Sequence, residues 1–149
     1  MHLRTAPLAP ADRRDWERLA RGYKAFYRTD VSDDGYELTW TRLLENDGIH
    51  GLGAFVDDRL VGIAHYVFHT SIWASTVCYL QDLFVDENAR GHGVARTLIE
   101  TVADAARSRD ADRFYWHTQD HNATARLLYD KVADFNGFIR YDYALDSGD

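Results

Sequence analysis

The sequence predicts an α/β (α+β) fold, a mixed central β-sheet of about six to seven strands with helices on both faces. Three observations lead there. Two strand-length runs, His50 to Val56 and Leu60 to Phe68, meet at Asp57-Asp58-Arg59, a hairpin signal. In the second half, strand patterns pass into helical ones, as Ser75 to Val85 does into Gly91 to Ser108. A length of 149 residues with 46% hydrophobic content suits one domain, residues 1–149, with a real core.

The elements follow in order. His2 to Ala6 reads as a short strand before Pro7 and Pro10. From Asp12 to Phe26, the positions Trp16, Leu19, Ala20, Tyr23 and Phe26 share one face of a helix. Thr29 to Gly35 is acidic and reads as a loop; Tyr36 to Leu44 is a second helix, closed by Asn46-Asp47-Gly48. The helix from Gly91 to Ser108 buries Ala95, Leu98, Ile99, Val102 and Ala106. Arg113 to Thr118 is a strand, Asn122 to Ala133 a helix, and Gly137 to Leu145 a last strand. Repeats and low-complexity stretches are absent.

The most informative stretch joins Leu80-Gln81-Asp82-Leu83-Phe84-Val85 to Arg90-Gly91-His92-Gly93-Val94-Ala95-Arg96. A strand, a tight glycine-rich turn and an immediate helix leave several backbone N–H groups without partners, pointing one way. The helix dipole reinforces them, so the fitting guest is a phosphate or diphosphate, with Arg90 adding a cation. No Gly-Lys-Ser/Thr ending exists, which excludes the nucleotide-hydrolase loop. Arg96 falls where a dinucleotide fingerprint needs its last glycine or alanine, so that reading fades as well.

The pattern Arg90-x-x-Gly93-x-Ala95 resembles the coenzyme A diphosphate loop of the GNAT superfamily of N-acetyltransferases. Val61 to Tyr66, Trp73 and Tyr79 to Val85 look like strands of the diamine (polyamine) acetyltransferases and of the yeast-type histone and polyamine acetyltransferase branch. Asn122-Ala123-Thr124-Ala125-Arg126-Leu127-Leu128-Tyr129, followed by Gly137-Phe138, resembles the family's second cofactor motif. The resemblance implies the GNAT fold, acetyl-CoA as acyl donor and no metal. It implies that main-chain groups of Leu83, Phe84 and Val85 align the pantetheine arm. Gly91, His92, Gly93, Val94, Ala95 and Arg96 would hold the diphosphate beside Arg90, with Asn122 and Ala125 along the arm. Asn122 also makes a good helix N-cap, and Tyr129 shares a packing stripe with Ala125, Leu128 and Val132.

Two catalytic residues are expected. A phenol near the departing thiolate can protonate it, and the resemblance puts Tyr129 in that role. The diamine acetyltransferases usually carry glutamate where this chain has Gln81. An amide cannot accept a proton at neutral pH, so Gln81 is expected to orient a water or the amine. Strand alternation sends Asp82 to the opposite face from Gln81, so Asp82 is not a simple replacement for the missing base.

For the acceptor, Tyr27, Asp30, Asp33, Asp34, Tyr36, Glu37 and Trp40, together with Asp82, combine carboxylates with aromatic faces that suit an ammonium. Net charge is −7, which disfavours nucleic acid and favours a cationic partner. No membrane-length apolar run or signal-peptide core is seen, and a cytoplasmic protein is expected. One cysteine, Cys78, excludes an internal disulfide. His65 and His69, like His117 and His121, are four apart on expected strands and loops, so metal binding is not inferred. The expectation is an N-acetyltransferase for a small cationic amine (polyamine, diamine or lysine-like), working as a homodimer through the last strand. The alternatives are a protein lysine or N-terminal acetyltransferase and a catalytically weak CoA-binding sensor.

Overall fold

Asp57 and Asp58 both have positive φ, 49° and 69°, the conformation that a two-residue turn needs to match the twist of its strands. The hairpin they close is the middle of the sheet. A computed structural model of the chain describes residues 1–146. In it, β1 spans Leu3–Pro7, β2 Ile49–Val56, β3 Arg59–His69, β4 Val77–Val85 and β5 Arg113–Tyr115. They lie in the order β1-β2-β3-β4-β5; only the β4–β5 pair is parallel.

Four helices accompany the strands: α1 (Arg13–Phe26), α2 (Asp33–Glu45), α3 (Val94–Ser108) and α4 (Ala123–Val132). The second begins three residues earlier than its apolar spacing indicates. Ser32 caps it, its hydroxyl accepting from the Gly35 N–H at 3.1 Å, and Asp33 and Asp34 occupy the first turn, where acids complement the dipole. The chain divides into two compact units, one ending at His117 and one beginning at Thr118.

Within the first unit, helices cover both faces of the sheet. Trp16, Leu19 and Ala20 of α1 pack with Tyr36, Trp40 and Leu43 of α2 over Phe55, Leu60 and Ile63. On the other face, a Cβ at Gly62 would meet Val94 and Leu98 of α3 at 3.0 and 3.1 Å, so this helix lies close against the strands. Leu98 and Val102 are wholly buried.

Two expectations need correction. Among the described residues the sheet has five strands, not six or seven, and β5 stops at Tyr115. Gly137 to Leu145 forms no strand; Ile139, Tyr141, Tyr143 and Leu145 are solvent-exposed. Alternation makes a segment able to pair, but a strand also needs an edge to pair with. This segment pairs with no strand among the described residues.

Candidate active site

The site is built around an irregularity in β4. Tyr66 pairs with Leu80 and His65 with Asp82, so Gln81 is an extra residue without a cross-strand partner. Such a bulge resets the alternation of side chains. Leu80 stays on the α3 side, while Asp82 turns with His65 toward α1 and α2. Gln81 and Asp82 therefore line one cavity together, contrary to the strict alternation expected from sequence. Nothing in the local residue types announces a bulge; register appears only when both strands are seen.

This cavity, about 310 Å³, is walled by α1, α2, β2, β3 and β4. Trp16, Tyr23 and Lys24 come from α1, and Tyr36, Thr39 and Arg42 from α2. His65 stands on its floor. The Trp16 Nε1–H donates to His65 Nε2 at 2.9 Å, so the ring proton must sit on Nδ1. That N–H donates to Asp82 Oδ2 at 2.8 Å. Burial pushes the Asp82 carboxyl up. The bond from His65, the bond from Tyr23 and the nearby Lys24 charge outweigh burial and hold it below the usual aspartate range. Burial, then the Asp82 charge, raises the Tyr23 phenol far above its ordinary value, so it remains a donor. The result is an ionised carboxylate fixed in direction at a cavity wall. Sequence reasoning missed Trp16, Tyr23 and His65; the usable signal was a histidine inside the apolar run Val61 to Phe68.

From the bulge the strand runs to the anion cradle. β5 pairs with β4 only at Val77, Cys78 and Tyr79. Beyond them, the edge of β4 away from β3 meets no described strand through Val85. The main-chain groups of the 83–85 stretch that point away from β3 therefore face an open edge to which an extended ligand could pair, with the Val85 carbonyl held by Arg90. Arg18 bonds Asp86 at 2.9 Å, and Arg90 Nε donates to the Val85 carbonyl at 3.1 Å, fixing the strand's exit. Gly91 and Gly93 take φ of +84° and +78°, where a side chain is strained, although a Cβ at either would meet nothing. Backbone N–H groups of residues 91–96 find no acceptor among the described residues, and Gly93 stands as N-cap of α3 with no side-chain cap. The free N–H groups, helix start and Arg90 fit a diphosphate, and the free β4 edge fits its extended arm.

The expected acceptor residues are scattered. Tyr27 is half-buried, its ring 5.0 Å from that of Tyr23. Asp30 is exposed and lines no cavity described above. Glu37 is exposed and pairs with Arg13 at 2.7 Å, and Asp33 pairs with Arg21 at 2.7 Å. Trp40 is in the core, its ring 4.9 Å from that of Trp16. Of the acids offered from sequence, only Asp82 faces the cavity. In the second unit, Asn122 caps α4, its Oδ1 accepting from the Ala125 N–H at 3.5 Å. Tyr129 lies within α4. Among the described residues, no group of three or more metal-ligating side chains occurs and no helix is long and apolar enough to cross a membrane.

Comparison with known proteins identifies the family. The model of the acetyltransferase (GNAT) family matches residues 16–135. The chain is 35% identical over 130 residues to D-amino-acid N-acetyltransferase HPA3 of Saccharomyces cerevisiae, covering 85% of this chain and 81% of that one. It is 33% identical over 89 residues to thialysine N-epsilon-acetyltransferase of Caenorhabditis elegans, 60% of this chain and 56% of the relative. Among solved structures, AAC(6')-Iy in complex with a bisubstrate analog superposes with a TM-score of 0.86 over 97% of this chain and 99% of that one. At 17% identity this likeness is one of fold.

Proposed function

This chain belongs to the acetyltransferase (GNAT) family and is an N-acetyltransferase, and from that premise we propose that it acetylates the primary amine of a small acceptor by direct transfer from acetyl-CoA. The observation that carries the acceptor's size is the 310 Å³ cavity holding an ionised Asp82 one residue from the free β4 edge. The named relatives, which act on D-amino acids and on thialysine, are consistent with acceptors of that size.

Acetyl-CoA supplies the acetyl group as a thioester: the amine nitrogen bonds the acetyl carbon, the C–S bond breaks, the amine gives up a proton and the sulfur gains one. The chain's residues arrange this exchange. Backbone amides of residues 91–96 and Arg90 hold the diphosphate, while main-chain groups of Leu83, Phe84 and Val85 set the depth of the arm. Asn122 and Ala125 complete its binding, and Tyr129 donates the proton to sulfur. The last three roles rest on their place in the second motif. Asp82 receives the ammonium, and Gln81 orients the amine or the water that takes its proton. With its proton affinity lowered, Asp82 is a better cation anchor than a base. Positioning the two reactants supplies a large share of the rate gain.

Thiol release from acetyl-CoA across amines, amino acids, aminoglycosides and basic peptides tests this reading. Turnover should be confined to small amines, and Tyr129→Phe should lower kcat about 10²–10⁴-fold. Tight CoA binding without turnover on any acceptor, relieved by Gln81→Glu, would contradict it in favour of a sensor that has lost its base. The same reading includes a homodimer. The alternating, exposed Ile139, Tyr141, Tyr143 and Leu145 suit pairing with a second copy's sheet edge. Sedimentation should report a dimer that Tyr141→Lys with Tyr143→Lys dissociates, whereas a wild-type monomer would remove that part of the proposal.

A further inference from the structure

The charges around the cavity differ from those of the molecule. The protein carries −7 overall, yet the cavity wall holds one carboxylate, Asp82, and two cations, Lys24 and Arg42. The acids that could have made it a polycation trap are turned elsewhere. Glu17 and Glu37 hold Arg13, and Glu17 and Asp33 hold Arg21, in a chain of pairs along α1 and α2. Lys24 and Arg42 take no part in that chain, and neither is salt-bridged to a described acid. Lys24 lies 5.7 Å from the Tyr23 ring and Arg42 is exposed in the last turn of α2.

Resting on the acetyltransferase reading above, we infer that this cavity selects a zwitterionic acceptor, a free amino acid, whose ammonium meets Asp82 and whose carboxylate meets Lys24 and Arg42. A diamine or polyamine would meet one carboxylate and two like charges, and like-charge juxtaposition discriminates strongly against a wrong partner. An amino acid satisfies all three groups at once. Guanidinium is suited to carboxylate through paired N–H donors, and ammonium serves as a point charge beside it. The hydroxyl of Thr39, also on the wall, donates to the Gly35 carbonyl, and the two cations are the wall's charged donors toward an anion.

The test compares alanine and lysine, in both hands, with their carboxamides and with 1,5-diaminopentane. Carboxamides keep the amine and lose the negative charge; because this also makes the α-ammonium more acidic, rates are compared per free-base amine. Initial rates are taken for the wild type, Lys24→Gln, Arg42→Gln and the double variant. The expected result is a kcat/KM for the free amino acid at least about tenfold above that of its carboxamide, an advantage that shrinks to about twofold in the double variant. A carboxamide or diamine used as well as the amino acid by the wild type would overturn the inference. So would an advantage that survives intact in the double variant. If no acceptor is turned over, the acetyltransferase reading fails first, and calorimetric binding of the same pairs to wild type and double variant decides this one. Preference for the free amino acid that depends on Lys24 and Arg42 supports it; equal affinities overturn it.

Discussion

Asp82 shows how one residue's role follows from its neighbours. Charged and titratable groups around it come from Tyr23 and Lys24 of α1, Tyr27 just past its end, Tyr36 and Arg42 of α2, and His65 of β3. Its folded pKa is depressed, so its stabilising contribution is present above the unfolded value of about 3.9 and is lost as pH falls through the folded one. Denaturant unfolding from pH 7 down to pH 2 should therefore show stability declining below about pH 4. Asp82→Asn should flatten that decline, while costing about 1–3 kcal/mol at neutral pH through lost bonds to His65 and Tyr23. His65→Leu removes a bond that favours the carboxylate and leaves Trp16 Nε1 without its acceptor. The acid limb of activity should move to higher pH in that variant; an unmoved limb would argue against coupling between the two residues. Cys78 is wholly buried and its thiol is pushed up to about 11, so thiol reagents at pH 8 should label it only after unfolding.

At the scale of elements, most of the site's supports were legible in sequence. The α3 helix, its glycine-rich start and the hairpin at Asp57-Asp58 all follow from local residue chemistry, because turns and caps need particular residues at particular positions. The start of α2 was readable too, in Ser32-Asp33-Asp34, but its apolar spacing pointed three residues later. The bulge at Gln81 was not legible. It depends on the register between β3 and β4, and it decides which way Asp82 faces. Ion pairing was hidden for a similar reason: Glu37 and Asp33 are good cation ligands by type, but α1 presents Arg13 and Arg21 to them. The cradle gives this scale its prediction. Gly93→Ala should cost about 1–2 kcal/mol of stability from its left-handed φ, and should weaken CoA binding measured by calorimetry. Unchanged CoA affinity in a folded Gly93→Ala protein would speak against a role for this turn in holding the diphosphate.

For the whole molecule, the division of labour is between faces of one sheet. The α3 face is dry and close-packed, with Leu98 and Val102 wholly buried; Leu98→Ala should cost about 2–5 kcal/mol without changing which acceptor is used. The α1 and α2 face is equally well packed around Trp16 but opens at the bulge into a cavity with a fixed carboxylate. Net charge, a property of the whole chain, suggested a cationic acceptor and an acidic pocket. The cavity has a different balance, because most of the acids lie on the outer surface or in pairs. The central claim, that Asp82 receives the acceptor amine, is tested most directly by acetyl transfer to small amines and amino acids in wild type and Asp82→Asn, with CoA affinity measured alongside. The account predicts kcat/KM about 10²-fold lower in the variant, with CoA affinity unchanged. Wild-type kcat/KM in a folded Asp82→Asn protein would contradict it.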